Sequence, residues 1–598
     1  MHRREILKGL AVAPVLALLR PSAAADRGRA LMRRVRPSDP DWPAVADWVA
    51  LRERVGGNLI EPQPLFAACQ AAPAGTACRD VMKNMHNPFY VGDQPGGTEV
   101  SGWFEAWKPA ASAYAVKART AADVAAAVNF AREHRVRLVV KGGGHSYQGT
   151  SNAPDSLLIW TRAMNRIVLH EAFTPQGGEG RVAPVPAVTA EAGAMWIDLY
   201  HAVTTRAGRF VQGGGCASVG SAGLVQSGGF GSFSKQFGTA AAALLEAQIV
   251  TADGHVRTVN AFRDPELYWA LKGGGGGSWG VVTKVTLRTF DLPEFFGATW
   301  GTIRARSARD FRTLIAQFVD FYAEHLLNPN WGEHVMLGSD NTLKISMVSQ
   351  GLDKSQVRAV WRPFFDSVRG QAQAFAVIEE LGAGVMPARY WWDDSVNRGM
   401  VRDPRPGAPP YRAWWQGDSA QVGAYLHGYD SLWLPAVLLG RARRPRLVEA
   451  LFNASRHHGL QLHFNKGLAG APPEVLASAR NTATNPDVLS AFALAIIAGG
   501  ERPAYPDQPG AAVDRHAARA EASAIVRAAA QLRKVAPGAG SYVSESNYFN
   551  KRWQSAYWGR NYGRLRAVKT HYDPDGLFFG HNGVGSEDWS RDGFTRLR

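Results

Sequence analysis

The sequence predicts an α+β protein of more than one domain, and three observations carry this. Strand-like apolar runs alternate with an amphipathic helix between residues 105 and 290. Three glycine clusters interrupt that same stretch. From 291 to 540 helical and strand-like segments alternate without such clusters, and tryptophan and tyrosine concentrate there. A chain of 598 residues is too long for one hydrophobic core, so two or three domains are expected. Its 46% hydrophobic and 20% charged content is that of a globular protein.

At the N-terminus, Arg3-Arg4-Glu5-Ile6-Leu7-Lys8 precedes an apolar run from Gly9 to Leu19 and the small residues Ser22 to Ala25. This order matches the n-, h- and c-regions of an export signal, and the paired arginines resemble a twin-arginine signal. Residues 1–25 are therefore expected to be a signal peptide, and the protein to be periplasmic or secreted. A span of about 20 apolar residues is needed to cross a bilayer. Neither this run nor any later stretch reaches it, so no membrane anchor is expected. Twin-arginine export handles folded proteins, often with a cofactor already bound, which is what the likeness to such signals implies.

Residues 26–104 are rich in Pro, Gly and Ala with weak periodicity, and read as an extended arm wrapping the body. Cys69 and Cys78 lie close together in it, and export favours a disulfide between them. Of the three cysteines that leaves Cys216 odd, as a reactive thiol, an intermolecular partner or a residue bonded to something else.

The elements then follow in order. Tyr114 to Ala118 alternates like a strand. Thr120 to Glu133 reads as a helix with Thr120 as N-cap and Asp123 in the capping position. Leu138-Val139-Val140 and Leu157 to Trp160 read as strands, Val188 to Ala192 as another, and Trp196 to Arg206 as a helix. Leu244 to Thr251, the Asp253-Gly254 turn and Val256 to Val259 form a hairpin. Val281 to Leu287 reads as a strand, Ala308 to Leu326 as a helix and Thr342 to Ser349 as a strand. The aromatics Tyr390-Trp391-Trp392, Tyr411, Trp414-Trp415, Tyr425, Tyr429 and Trp433 read as a substrate platform in the second domain.

The net charge is +16, from 67 basic and 51 acidic residues. The basic residues are scattered, with no block beyond Arg441-Ala442-Arg443-Arg444, so nucleic-acid binding is not expected. Attraction to anionic substrates or a cell surface stays open.

The chemistry concentrates in the glycine clusters. Lys141-Gly142-Gly143-Gly144-His145-Ser146-Tyr147 follows a strand. Successive glycine amides can cradle phosphate, although alone the stretch reads equally as a surface turn. Gln212 to Gly231 contains Cys216, and Lys272 to Gly280 carries five consecutive glycines. One large phosphate-bearing cofactor can use all three clusters. His145 and Cys216 are too few for a metal site, and no close His/Cys/Asp cluster adds ligands, so no metal is expected. The order of residues is not that of a cysteine protease. The first loop also lacks the Gly-x-Gly-x-x-Gly of a Rossmann fold.

Four segments together resemble the FAD-linked oxidases similar to berberine bridge enzyme, of the vanillyl-alcohol oxidase superfamily. They are Arg137 to Tyr147, Gly215 to Gly231, Asp264 to Thr283 and Tyr557 to Pro574, with Asn561, Tyr562, Lys569, Tyr572 and Asp573 in the last. The resemblance implies a PCMH-type two-part FAD-binding domain at 105–290. It also implies an α+β substrate domain with an antiparallel sheet at 291–540 and a C-terminal segment, 541–598, returning to the FAD domain. It implies bicovalent FAD, His145 bonding the flavin 8α-methyl and Cys216 flavin C6. Gly142, Gly143, Gly144 and His145 would hold the pyrophosphate, and Gly220, Gly223 and Gly229 would approach the isoalloxazine. Ser146, Gly215 and Val219 would also contact the cofactor, Val281 would sit by the adenine, and Asn561 and Tyr562 would close over the ring. Two departures affect the shape around the flavin. Ala217 stands where the family often has Pro, and Leu224 to Ser227 lack a frequent Gly and His.

The implied reaction is hydride transfer from a substrate C–H to flavin N5. Tyr147 stands at the family's active-site tyrosine position. A phenol with a pKa near 10 needs a cationic or hydrogen-bonding neighbour to act as a base. Gln461, His463, Tyr542, Glu545 and Tyr548 are further candidates. The expected substrate is a sugar or oligosaccharide alcohol, with dioxygen reduced to hydrogen peroxide. A dehydrogenase, or an oxidative cyclase of a phenolic or secondary metabolite, is the alternative. An exported carbohydrate-binding protein is the non-enzymatic one.

Overall fold

A computed structural model describes residues 32–597. The expected signal peptide lies outside the described residues. The chain is α+β, as the sequence implies, and is built on three main sheets.

The first sheet orders Leu59–Ile60, Tyr114–Lys117, Ser156–Trp160 and Arg137–Lys141. Its last three strands are parallel, which requires a crossover connection. The helix Ala121–Glu133 supplies one. Thr120 caps it, accepting from the Asp123 amide at 3.2 Å while Asp123 accepts from the Thr120 amide at 3.0 Å. Val124, Ala127, Val128 and Ala131 of this helix are fully buried with Val116, Leu157 and Ile159 of the sheet.

The second sheet is antiparallel, in the order Val256–Asn260, Leu244–Thr251, Gly280–Arg288, Val185–Glu191 and Ile167–Phe173. The predicted hairpin forms its edge. The predicted helix from Trp196 is a single α-turn, Trp196–Leu199, that widens into a π-helix, Tyr200–Arg206. Such widened turns gather at functional sites. This one packs Tyr200 flat on Trp392, with ring centroids 3.9 Å apart.

The third sheet has eight strands, in the order Phe375–Pro387, Phe295–Ala305, Thr342–Gln350, Trp331–Leu337, Leu460–His463, Ala491–Glu501, Tyr425–Pro435 and Gly102–Trp103. Only the last pairing is parallel. The helices Ala308–Phe321, Lys354–Gly370, Arg444–His457 and Arg515–Arg533 cover one face. Strand alternation sorts the residues between the faces. Leu460 and Leu462 join the helix-side core, whereas Gln461 and His463 face the opposite side.

Residues 32–104 depart from the expected extended arm. They form four short helices, Val45–Arg54, Ala67–Ala71, Thr76–Asn84 and Pro88–Gly92, and add a strand to two of the sheets. Each helix is too short for its apolar period to show, and each relies on tertiary packing. Trp48, for example, stacks on Tyr114 at 4.0 Å. Cys69 and Cys78 form the disulfide. No helix among the described residues is long and apolar enough to cross a membrane.

The C-terminal helix Tyr562–Tyr572 returns to the glycine-rich half. Its Lys569 side chain is 3% exposed. The ammonium donates to Ser278 O at 2.6 Å, Phe578 O at 2.8 Å and the Asp573 carboxylate at 2.6 Å. Removing one partner of a buried ion pair strands the other. Lys569→Met is therefore expected to cost about 3–5 kcal/mol, measured as a fall in the chemical-denaturation midpoint. An unchanged midpoint would show that this junction does not hold the C-terminal segment.

Candidate functional site

The three glycine clusters open onto one cavity of about 1910 Å³ between the two smaller sheets and the eight-stranded sheet. Ligand cavities commonly hold about 300–1,000 Å³, so this one has room for a large cofactor and a substrate.

Its first wall begins at Lys141. That ammonium is buried and donates to the carbonyls of Gln94, Pro95 and Gly97 at 2.6, 3.0 and 2.7 Å, and burial lowers its pKa to about 7. Lys141 thus anchors the loop from behind. Gly144 turns the chain at φ +80°, and a Cβ on Gly143 would lie 2.9 Å from both Gly220 N and Ser218 O. The two loops touch backbone to backbone, which only glycine permits. Among the described residues the N–H groups of Gly143 to His145 have no protein acceptor. Buried amides require partners, and a phosphate-bearing group suits this cradle.

The same contact places Ser218 Oγ 2.9 Å from His145 Nε2. Glu99 Oε2 is 3.5 Å from that nitrogen. The distance is that of an ion pair, but burial drives both groups neutral. It lowers the His145 pKa to about 4 and, with a smaller push from Asp418, raises that of Glu99 to about 8.

Cys216 lies on the second loop, half-buried and unpaired. Trp415 Nε1 donates to the adjoining Gly215 carbonyl at 3.1 Å. Burial raises the thiol pKa, and Asp418 and Glu99 add to the rise. Asp418 lines the same cavity, and burial pushes its own pKa up to about 6.

The facing wall is polar and aromatic. Tyr147 and Tyr429 rings sit 5.5 Å apart. Lys466 Nζ binds both Glu545 oxygens, at 2.5 and 2.6 Å. The surroundings of Tyr147 work against a basic role. Burial raises its pKa well above the usual value, and Cys216, Glu545, Glu99 and Asp418 raise it further.

Of the residues the sequence points to, the cavity gathers Gly142, Gly143, Gly144, His145, Ser146, Tyr147, Gly215, Cys216, Val219, Gly220, Gly223, Gln461, His463, Tyr542 and Glu545. Five others lie elsewhere. Val281 is fully buried in the helix-backed core, while its neighbours Gly280 and Val282 face the cavity. One residue of offset on a strand exchanges the faces. Gly229 lets the chain pass Ala240, where a Cβ would come within 2.5 Å of the alanine methyl. Asn561 donates to Thr484 O at 3.0 Å, and Tyr562 donates to Glu587 at 2.5 Å. Tyr548 stacks on His581 at 3.6 Å. The predicted tryptophan platform is divided: Trp391, Trp392 and Trp415 line the cavity, whereas Trp414 (5% exposed) and Trp433 (2%) are packed into the core. Sequence reasoning missed Glu99, Ser218, Asp418 and Lys466 as site residues, whereas Tyr429 of the predicted aromatic platform does line the cavity. Only Ser218, two residues from Cys216, sits inside a recognisable motif.

The FAD binding domain family model matches residues 112–260, and the berberine and berberine like model matches 541–585. The FAD-linked oxidoreductase malF of Malbranchea aurantiaca is 30% identical over 596 residues, covering 94% of each chain. The VAO-type flavoprotein oxidase VAO615 of Thermothelomyces thermophilus is 27% identical, covering 94% of this chain and 95% of that one. The crystal structure of the VAO-type flavoprotein MtVAO615 from Myceliophthora thermophila superposes with a TM-score of 0.75 at 25% identity, over 93% of this chain and 98% of that one. An FAD-binding domain, a berberine-like C-terminal segment and full-length relatives place the chain in the berberine bridge enzyme-like family of FAD-linked oxidoreductases.

Proposed function

We propose that the protein is an exported oxidase carrying FAD on two covalent bonds, to His145 and Cys216, and oxidising an alcohol carbon of a sugar or oligosaccharide with dioxygen reduced to hydrogen peroxide. The observation that carries this reading is that both attachment side chains and the wall of Tyr147, Tyr429, Lys466 and Glu545 line one cavity. Bound FAD supplies the hydride acceptor, and covalent attachment is one lever on its potential.

The chain's own groups suit these tasks. A neutral His145 that donates Nε2–H to Ser218 keeps its Nδ1 lone pair for bond formation. Asp418, whose charge acts on Cys216 across the same cavity wall, is placed to take the thiol proton, which burial otherwise retains. Tyr147 stays protonated among its anionic neighbours and so donates a hydrogen bond to a substrate oxygen. The hydroxyl proton goes to Glu545, whose carboxylate Lys466 holds in place; this assigns the base to Glu545 rather than Tyr147. Gln461, Asn465 and Gln421 line the cavity beside Trp415 and Trp300. That mixture of hydrogen-bonding groups and ring faces suits a polyhydroxylated ring. The Cys69–Cys78 disulfide accords with an oxidising compartment.

The purified protein should be yellow and keep its flavin on the polypeptide after acid precipitation. The double variant His145→Ala/Cys216→Ala should release it. Covalent flavin in that double variant would refute the attachment sites. Peroxide should form with sugar alcohols across a substrate panel, and a response confined to phenolic alcohols would replace the sugar reading.

Glu545→Gln should lower kcat by about 10²- to 10⁴-fold, while Tyr147→Phe should raise KM by about tenfold, the worth of one hydrogen bond. The reverse ranking in steady-state kinetics would return the base to Tyr147. Replacing Arg3 and Arg4 by lysine should leave the protein in the cytoplasmic fraction, and unchanged export would exclude the twin-arginine route.

A further inference from the structure

One cluster in the cavity wall has no part in the chemistry above. Strands Trp331–Leu337 and Leu460–His463 pair antiparallel, with His334 directly opposite His463. Their rings lie 4.7 Å apart and 21° from parallel. Glu333 precedes His334, and in a regular strand its side chain would point to the other face. Here Glu333 has φ +64°, a conformation rare for a residue with a side chain. The break in alternation brings its carboxylate to the imidazole side. One ligating atom from each of Glu333, His334 and His463 lies within 4.8 Å of the others, and all three residues line the cavity.

The hydrogen bonds around the cluster leave donor atoms facing one another. His463 Nε2 lies 2.7 Å from Gln461 Oε1. An amide oxygen only accepts, so that nitrogen carries the proton and Nδ1 presents a bare lone pair. His463 Nδ1 is buried and has no hydrogen-bond partner among the described residues, and the same is true of His334 Nδ1. Glu333 Oε2 is 3.8 Å from His334 Nδ1, beyond hydrogen-bond reach. Its other oxygen accepts from Ser232 Oγ at 2.5 Å and Asn465 Nδ2 at 3.4 Å. An imidazole whose second nitrogen is fixed by a carbonyl oxygen, beside a carboxylate itself oriented by a hydroxyl, is the outer-shell pattern of metal-ligating residues. The nearby Lys466 ammonium is turned to Glu545.

We propose that Glu333, His334 and His463 bind one divalent transition-metal ion with a preference for mixed nitrogen and oxygen ligands, of which zinc is representative. Two imidazoles and one carboxylate form a three-ligand set that leaves a position open. That position faces the cavity, where it takes a substrate oxygen or a water. Gathering the ion requires the His334 ring to rotate so that the two lone pairs converge. The cluster escapes a sequence reading because two of its ligands come from strands far apart in the chain and the third faces inward only through a local break in the strand.

The test uses the flavin-loaded holoenzyme, stripped with a chelator and titrated with zinc chloride by calorimetry, with metal content read by mass spectrometry after desalting. One zinc per chain is expected. Gln461→Ala, which removes only the outer-shell bond, should weaken binding about 10- to 100-fold. His463→Ala and the near-isosteric Glu333→Gln should weaken it further. An unaltered flavin spectrum in each variant certifies the fold. Absence of stoichiometric zinc would overturn the proposal, as would binding unchanged in His463→Ala and Glu333→Gln, which would locate the ion elsewhere.

Discussion

The backbone contact between Gly143 and Gly220 is the constraint on which the rest of the site depends. A Cβ at either glycine would meet the other loop's backbone at about 3 Å, so the two chains can close only because both side chains are absent. Three consequences follow from that one approach. Ser218 comes within hydrogen-bond distance of His145. His145 and Cys216 open onto the same cavity although they lie on different loops far apart in the chain. The amides of Gly143 to His145 are left to an outside acceptor.

Burial sets the protonation of the site. Around His145 and Cys216 it favours the neutral form of every titratable group: imidazole, thiol, and the carboxyls of Glu99 and Asp418. The values are spread, however. Asp418 near 6 and Glu99 near 8 bracket neutral pH, so the carboxyl beside Cys216 is mostly ionised there and the one beside His145 mostly is not. Paired environments that push similar groups apart mark separate acid and base roles. The more acidic carboxyl thus belongs to the thiol's surroundings, and the less acidic one stands beside the imidazole.

What the sequence made legible was local. Glycine runs and the Thr120 cap each express a rule that acts over a few residues, and each is found in the structure. The errors come from distance or from register. Val281, expected beside the adenine, is turned into the core by its strand, which presents Gly280 and Val282 to the cavity instead. Asn561 and Tyr562 belong to a matching motif yet bond to Thr484 and Glu587, so that motif holds the C-terminal segment to its neighbours. Only some of the platform tryptophans form the wall, because composition cannot distinguish a wall from the packing behind it. Glu99 and Asp418 were invisible because no local pattern surrounds them; their neighbours come from other parts of the chain.

The segment from Gln94 to Trp107 links these parts mechanically. Its carbonyls at Gln94, Pro95 and Gly97 bind Lys141 beneath the first glycine loop. Glu99 reaches His145, and the Trp107 indole donates to Tyr147 O at 2.9 Å. Between these contacts, Gly102–Trp103 pairs parallel with Tyr425–Pro435 and closes the open edge of the eight-stranded sheet. Tyr429, on that same strand, faces Tyr147. One stretch of the N-terminal region is therefore bonded both to the loop bearing His145 and to the sheet forming the facing wall of the cavity. Separating the two walls would break the sheet edge pairing, the Lys141 cluster and the Trp107 bond together. This explains why so glycine-rich a cavity keeps a defined width: the stiffness that the glycines lack is supplied by a strap whose own sequence shows no motif.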